Sequence, residues 1–187
     1  LEFRRVLFRS ALTSGQIRAL STAQVSALTT AQVSTMESAD VQALSSTQIQ
    51  ALNSAQVGAL SSDSIVALTS SQVGALSSKQ VAGLTTDQVA AIETGDLKAL
   101  STAALRSLTS DQLDALNSDQ VAALTTAQVG ALSTTQVSQL SSDDLNALTS
   151  GQIRSLSSAQ VAALTTDQVA AMESDDVQAL KIGRAHV

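Results

Sequence analysis

The sequence predicts an all-α solenoid of very short, capped helices, one for every eight residues. Three observations predict it. An aliphatic residue returns at every eighth position from Leu12 to Leu180, a hydroxyl side chain usually follows it, and a Gln usually stands three residues after that hydroxyl. The 22 positions of this line are all Leu except Met36, Ile92 and Met172, and no insertion interrupts it. Between them lie 21 octads of the form Leu-[Ser/Thr]-[Ser/Thr]-x-Gln-[Val/Ile/Leu]-x-Ala, with Gln in fifteen. A tandem repeat this regular sets the architecture before any other signal is weighed.

The eight-residue period excludes the simpler backbones. In one continuous helix, eight residues overshoot two turns by about 80°, so the Leu stripe would wind around the cylinder and face no single partner. In a strand, Leu and the aliphatic residue five positions on would point to opposite faces. A third reading uses every repeated position. The first Ser or Thr is a helix N-cap, whose hydroxyl accepts a backbone N–H two or three residues on. The Gln reaches back to the N–H of the cap itself, completing a capping box, as in Ser21 with Gln24 and Thr165 with Gln168. The Leu before the cap and the aliphatic residue after the Gln form a hydrophobic staple, as in Leu20 with Val25.

The exceptions follow the same logic. Asn53 and Asn117 are good caps. Glu37, Glu93 and Glu173 are poorer ones, each with Asp at the Gln position, and carboxylates suit a helix N-terminus. Each octad should therefore start a helix of about one and a half turns that the next cap ends, with no Gly needed at the bend. Ala before most Leu residues lets successive helices pack closely. One octad buries too little to fold alone, so neighbouring coils must stack around a Leu/Val/Ala interior beneath a Ser/Thr/Asp exterior. Three octads per coil are expected, with two the alternative. Similar four-octad blocks begin at Thr13, Thr69 and Thr149, offsets of seven and ten octads that share no factor. Any octad should then fit any place in the coil.

The ends differ from the array. Residues 1–10 (LEFRRVLFRS) and 182–187 (IGRAHV) match the translation of sequencing-adapter DNA. Segments 1–10 and 181–187 are accordingly read as non-native, and 11–180 as a fragment of a longer array. The two Phe and the single His lie in these segments. Without them the array holds five basic and fifteen acidic residues, a charge of −10.

This composition narrows function. No Cys occurs, and the array has no His, which removes the usual metal and nucleophile–base chemistry. An acidic surface disfavours nucleic acid, and no apolar run approaches the ~18 residues of a membrane span. Asp143–Asp144 and Asp175–Asp176 are candidate acid–base pairs or a Ca²⁺ site, with Gly95 and Gly151 near acids. Their plainer role is to satisfy helix N-termini, since Ca²⁺ requires six to eight oxygens from a dedicated loop. Lys79 and Lys98 stand alone in separate octads. Arg18, Lys98, Arg106 and Arg154 share one octad position and would fall on one line of the solenoid. Catalytic, cofactor and metal residues are all expected to be none.

Two resemblances bear on function. The octad LTTDQVAA at 84–91 resembles the first helix of transcription-activator-like effector repeats, which bind DNA. The period here is eight, however, and that family's second helix and base-reading loop are missing, so the likeness is one of capping. Across 11–180 the octads are more similar to tandem arrays of very large bacterial surface proteins of the adhesin-like and haem-utilisation-like kind. That resemblance implies a non-catalytic structural or interaction module, a spacer or display scaffold outside the cell or on its surface. Haem does not follow, because the array offers no His, Cys or Tyr ligand. Two alternatives remain open: a Ser/Thr face for ice or a glycan, and an intracellular protein-binding solenoid. Protein or glycan partners fit these readings.

Overall fold

A computed structural model describes residues 13–184, and the side chains of residues 13–180. Residues 1–10 and 185–187, on which the reading of the ends mainly rests, lie outside the described residues. Within them the chain forms 21 helices and no strand. They group in coils of three. The first coil holds α1 (Ser14–Arg18), α2 (Thr22–Ser26) and α3 (Thr30–Val33), and the second α4 (Ser38–Ala43), α5 (Ser46–Ala51) and α6 (Ser54–Gly58). Then come α7 (Ser62–Val66), α8 (Ser70–Gly74) and α9 (Ser78–Val81), followed by α10 (Thr86–Ala91), α11 (Thr94–Leu97) and α12 (Thr102–Arg106). The fifth coil is α13 (Ser110–Asp114), α14 (Ser118–Ala122) and α15 (Thr126–Ala131), and the sixth α16 (Thr134–Gln139), α17 (Ser142–Ala147) and α18 (Ser150–Arg154). The last is α19 (Ser158–Ala162), α20 (Thr166–Ala171) and α21 (Ser174–Arg184).

Helices pack on the helices three places away: α1 on α4, α2 on α5, α3 on α6, and so on to α18 on α21. The coil therefore holds three octads, and the helices stack in three columns headed by α1, α2 and α3.

Local capping makes the helices as expected. Each of the fifteen Gln four residues after the Leu line closes a capping box; Ser21 Oγ, for example, accepts the Gln24 N–H at 3.2 Å while Gln24 Oε1 accepts the Ser21 N–H at 2.8 Å. Glu93 makes no side-chain cap bond, in keeping with its poorer capping chemistry, and at Glu37 the backbone N–H donates to Asp40 at a long 3.4 Å. Helices α1 to α19 each close on a tight turn in which the Leu-line N–H donates to the aliphatic carbonyl three residues back, as from Leu20 to Ile17 at 3.2 Å. The chain then turns through two extended residues. Leu44 has φ −64° and ψ 140°, and the following cap Ser45 has φ −72° and ψ 160°. Among the described residues none has positive φ, so the bends need no Gly.

The last helix is a natural control. Where Ser or Thr would begin the next octad, the sequence has Lys181, and α21 runs on for 11 residues to Arg184. The other helices, each followed by another octad, stop after four to six. The cap of the following octad thus ends each helix as well as starting the next.

One continuous core runs through the stack, made of the Leu line and the aliphatic line. From Leu44 to Leu156 every residue of the Leu line is buried. Coils approach closely at Gly58 and Gly83: a Cβ on Gly58 would lie 2.5 Å from the Gly83 carbonyl oxygen, and one on Gly83 would lie 2.6 Å from Ser54 Cβ.

Candidate functional site

The feature that most distinguishes this chain is a ladder of buried Gln side chains between coils. Sequence reasoning gave each Gln one task, the capping box, which uses only Oε1. Nε2 performs a second. Gln80 Nε2 donates to the Ile49 carbonyl at 2.7 Å and the Leu52 carbonyl at 2.8 Å. Gln112 repeats the pattern on Val81 and Leu84 at 3.0 and 2.7 Å, and Gln168 on Val137 and Leu140 at 2.9 and 2.7 Å. All twelve capping-box Gln residues beyond the first coil donate to the Leu-line carbonyl 28 residues earlier.

The chemistry explains the residue type. At each bend the helix leaves carbonyls without an intrahelical donor. Buried and unpaired, such a group costs about 1–3 kcal/mol. The amide of one Gln supplies a donor to the Leu-line carbonyl and a second one to the aliphatic-line carbonyl, which already accepts the Leu N–H, while its oxygen serves its own helix. Glu could complete the capping box, but its carboxylate would face the carbonyl oxygens instead of donating to them. No octad has Glu at this position. That absence was the signal in the sequence that could have disclosed the second role.

Six octads break the ladder, with Asp40, Ser64, Asp96, Ala104, Asp144 and Asp176 in place of Gln. Two of the Asp residues turn to a hydroxyl of the preceding coil. Asp144 Oδ1 accepts from Ser118 Oγ at 2.8 Å and its Oδ2 from its own cap Ser141 at 2.6 Å, while Asp96 accepts from Ser70 Oγ. Asp144, one of the candidate acids, is thus engaged in the coil interface, and Asp143 is exposed in the first turn of α17. Asp176 is buried beside exposed Asp175 at the start of α21. Burial, and then the charges of Glu173 and Asp175, push its carboxyl above the usual carboxylate range. Among the described residues no group of three or more His, Cys, Asp and Glu is placed to hold a metal.

The expectation that Arg18, Lys98, Arg106 and Arg154 lie on one line is corrected by the coil. Three octads per turn send one octad position to three columns: Arg18 to that of α1, Lys98 to that of α2, and Arg106 and Arg154 to that of α3. Lys79 joins the last column. The same geometry aligns acids instead. Asp63, Asp87 and Asp111 stand on consecutive helices of the first column, and Asp119, Asp143 and Asp167 on consecutive helices of the second, all exposed in first turns. Their place is where the helix dipole favours negative charge. The repeated blocks also disperse. The segments starting at Thr13, Thr69 and Thr149 become α1, α8 and α18, one in each column, so one block is accepted on every side of the coil.

The outer surface carries hydroxyls, but the first of each octad is already committed to its own helix as a cap; Thr85 Oγ1, for instance, accepts the Gln88 N–H at 3.2 Å. A shallow recess lined by Met172, Ser174, Val177 and Gln178 opens at the C-terminal end. Among the described residues no helix is long and apolar enough to cross a membrane.

Comparison with known families agrees with the geometry. A family model described as the ALTTAQ repeat matches residues 10–37, 33–70, 65–91, 89–126 and 139–174. The hexapeptide itself stands at 27–32 and at 123–128. No curated protein matches the chain.

Proposed function

The chain belongs to the ALTTAQ repeat family, and from that premise we propose that it is a non-catalytic structural module, a rigid spacer or display scaffold of a bacterial surface or secreted protein. The observation that carries this reading is the Gln ladder. It ties each coil to the one before through donors that are buried and doubly engaged, which suits a rod that holds its length. An acidic exterior without Cys suits solubility outside the cell, and the resemblance of the octads to arrays of very large surface proteins favours that location. A ligand face for ice or a glycan is less well supported, because the cap hydroxyls are spent on backbone N–H groups.

The test is mechanical and spatial. Small-angle scattering on this chain and on a tandem duplication of residues 13–180 should give a length that doubles at constant cross-section. A duplicated chain that folds back or flexes between its halves would overturn the spacer. Antibodies raised against the array should label intact cells that make the full-length gene product, and labelling only after lysis would overturn the surface location.

A further inference from the structure

Along its sides the coil sorts charge by face. The octads of α3 to α18, residues 29–156, contain eleven acidic residues, and none of them falls in the six octads of the third column. Six fall in the first column and five in the second. Four basic residues lie in the same span, and three of them, Lys79, Arg106 and Arg154, stand exposed on the third column. The first-turn position that holds Asp63, Asp87 and Asp111 on the first column holds Ala55, Lys79 and Ala103 on the third. The sorting ends at the octad of α21, with Glu173, Asp175 and Asp176. Similar blocks of octads are accepted on every side of the coil, so duplication of repeats does not account for a face without acids.

A basic face beside two acidic ones has its complement on the same molecule. The first column is the better complement. From α4 to α13 its octads carry Glu37, Asp63, Asp87, Asp111 and Asp114, all exposed, and no base, whereas the second column has Lys98 among its acids. Two copies also share one pitch, since each coil is three octads in both. A basic side chain that meets an acid on one coil is therefore followed by the next pair one coil on, as Lys79 of α9 is followed by Arg106 of α12 and Asp63 of α7 by Asp87 of α10. A polyanion such as nucleic acid would meet only three bases spread over four helices, flanked by two repelling faces. From this complementarity of charge and pitch we infer that the chain associates side by side with a second copy, the third column of one lying on the first column of the other, with Lys79, Arg106 and Arg154 facing the acids of α4 to α13. Such a contact is heterologous and leaves one face of each kind free, so copies add laterally and do not stop at a dimer. The excess of negative charge on both copies keeps the association weak. The inference goes beyond the spacer reading and holds whether or not the array serves as one.

Sedimentation velocity on the full chain tests it, over roughly 10 µM to 1 mM, the range in which a weak interface is populated. The expected result is a weight-average mass that climbs with concentration. The variant Lys79→Glu/Arg106→Glu/Arg154→Glu should weaken association by about 100-fold, and so should Asp63→Lys/Asp87→Lys/Asp111→Lys, because each turns attraction into like-charge repulsion. Mixing these two variants should restore association, the acidic third column of one on the basic first column of the other. Asp119→Lys/Asp143→Lys/Asp167→Lys makes the same change of net charge on the second column and should associate at least as strongly as the parent. Circular dichroism checks that the variants remain folded, and the milder Asp63→Asn/Asp87→Asn/Asp111→Asn should still weaken association by about 10-fold. A monomer at every concentration, a third-column variant that associates as the parent does, a mixture that fails to recover, or equal losses from the first- and second-column variants would overturn the inference.

Discussion

Inner coils and end coils have the same octads but not the same environment, and the difference shows where stability resides. Val129 is wholly buried in the fifth coil, whereas Val169, in the last, is 52% exposed. Gln88 is buried and doubly bonded to Val57 and Leu60, while Gln24, with an identical capping box, is exposed. The two ends also fail differently. The first coil has covered aliphatic residues and uncovered amides; the last has covered amides and uncovered aliphatic residues. The Leu line is half-buried at both, at Leu20, Leu28 and Met36 and again at Leu164 and Met172. Each octad is thus completed from two sides, its Gln by the coil before, its aliphatic residue by the coil after, and its Leu by both. The junction between coils is the unit of stability, as in other quasi-one-dimensional folds.

The largest effect that would sharpen this comparison is at the Leu line. Leu100→Asp places a charge in the core and leaves a cavity, and should cost about 4 kcal/mol or more in urea unfolding. Leu20→Asp, at a half-buried position, should cost on the order of 1–2 kcal/mol. Equal losses would mean that the inner coils are not more tightly completed than the first.

Next comes the ladder. Gln88→Glu sets a carboxylate against two carbonyls and should cost about 2–3 kcal/mol at neutral pH. Acid should recover part of this, since a protonated Glu regains one donor. Gln24→Glu should stay within about 0.5 kcal/mol, its carboxylate resting at an exposed helix N-terminus. A comparable loss at both sites would show that the capping box alone carries the Gln.

Glycine substitutions separate coil contact from open surface on a smaller scale. Gly83→Ala installs the residue that most octads have before Leu, yet its Cβ would lie 2.6 Å from Ser54 Cβ and 2.9 Å from the Ser54 carbonyl oxygen. Overpacking of this kind should cost about 1–3 kcal/mol. Gly95→Ala meets nothing within 4 Å and should stabilise by about 0.5–1 kcal/mol through the unfolded chain. Denaturation midpoints moving in the same direction would break the distinction.

The smallest effect is electrostatic and confined to the last helix. Burial raises the carboxyl of Asp176 in the folded chain, so the folded state takes up its proton more readily than the unfolded one. Its favourable contribution is present in acid and is lost as pH rises through the raised value. Protection factors of amides in α21 should therefore increase as pH falls from neutral toward about pH 4. Asp176→Asn should flatten that dependence and raise protection at neutral pH. An unchanged pH profile in the variant would remove Asp176 as its cause.

Much of this was legible in the sequence because it is local. The cap hydroxyl, the Gln three residues on and the staple act within one octad, so Ser21, Gln24, Leu20 and Val25 disclose a helix start without any knowledge of the fold. Even the stop was legible, since the next cap supplies it, as the overrun of α21 past Lys181 shows. The outward surface was harder to read. Arg18, Lys98, Arg106 and Arg154 look aligned when octads are written one above another, but three octads per coil scatter them over three columns. The second bond of each Gln was hidden because the capping box had already accounted for the residue, and only the uniform choice of Gln over Glu hinted at a donor.

The sequence by itself determined where the chain bends and which side chains turn inward, because hydrogen bonds spanning three or four residues and an eight-residue spacing suffice for both. Only the tertiary structure decided that three helices complete a coil and which octads become neighbours. A bend such as Leu44–Ser45, at ψ near 140° and 160°, lies in a broad extended region where small rotations change the pitch. What fixes those rotations is the reach of one amide to carbonyls 28 residues away, a contact between octads that no single octad encodes.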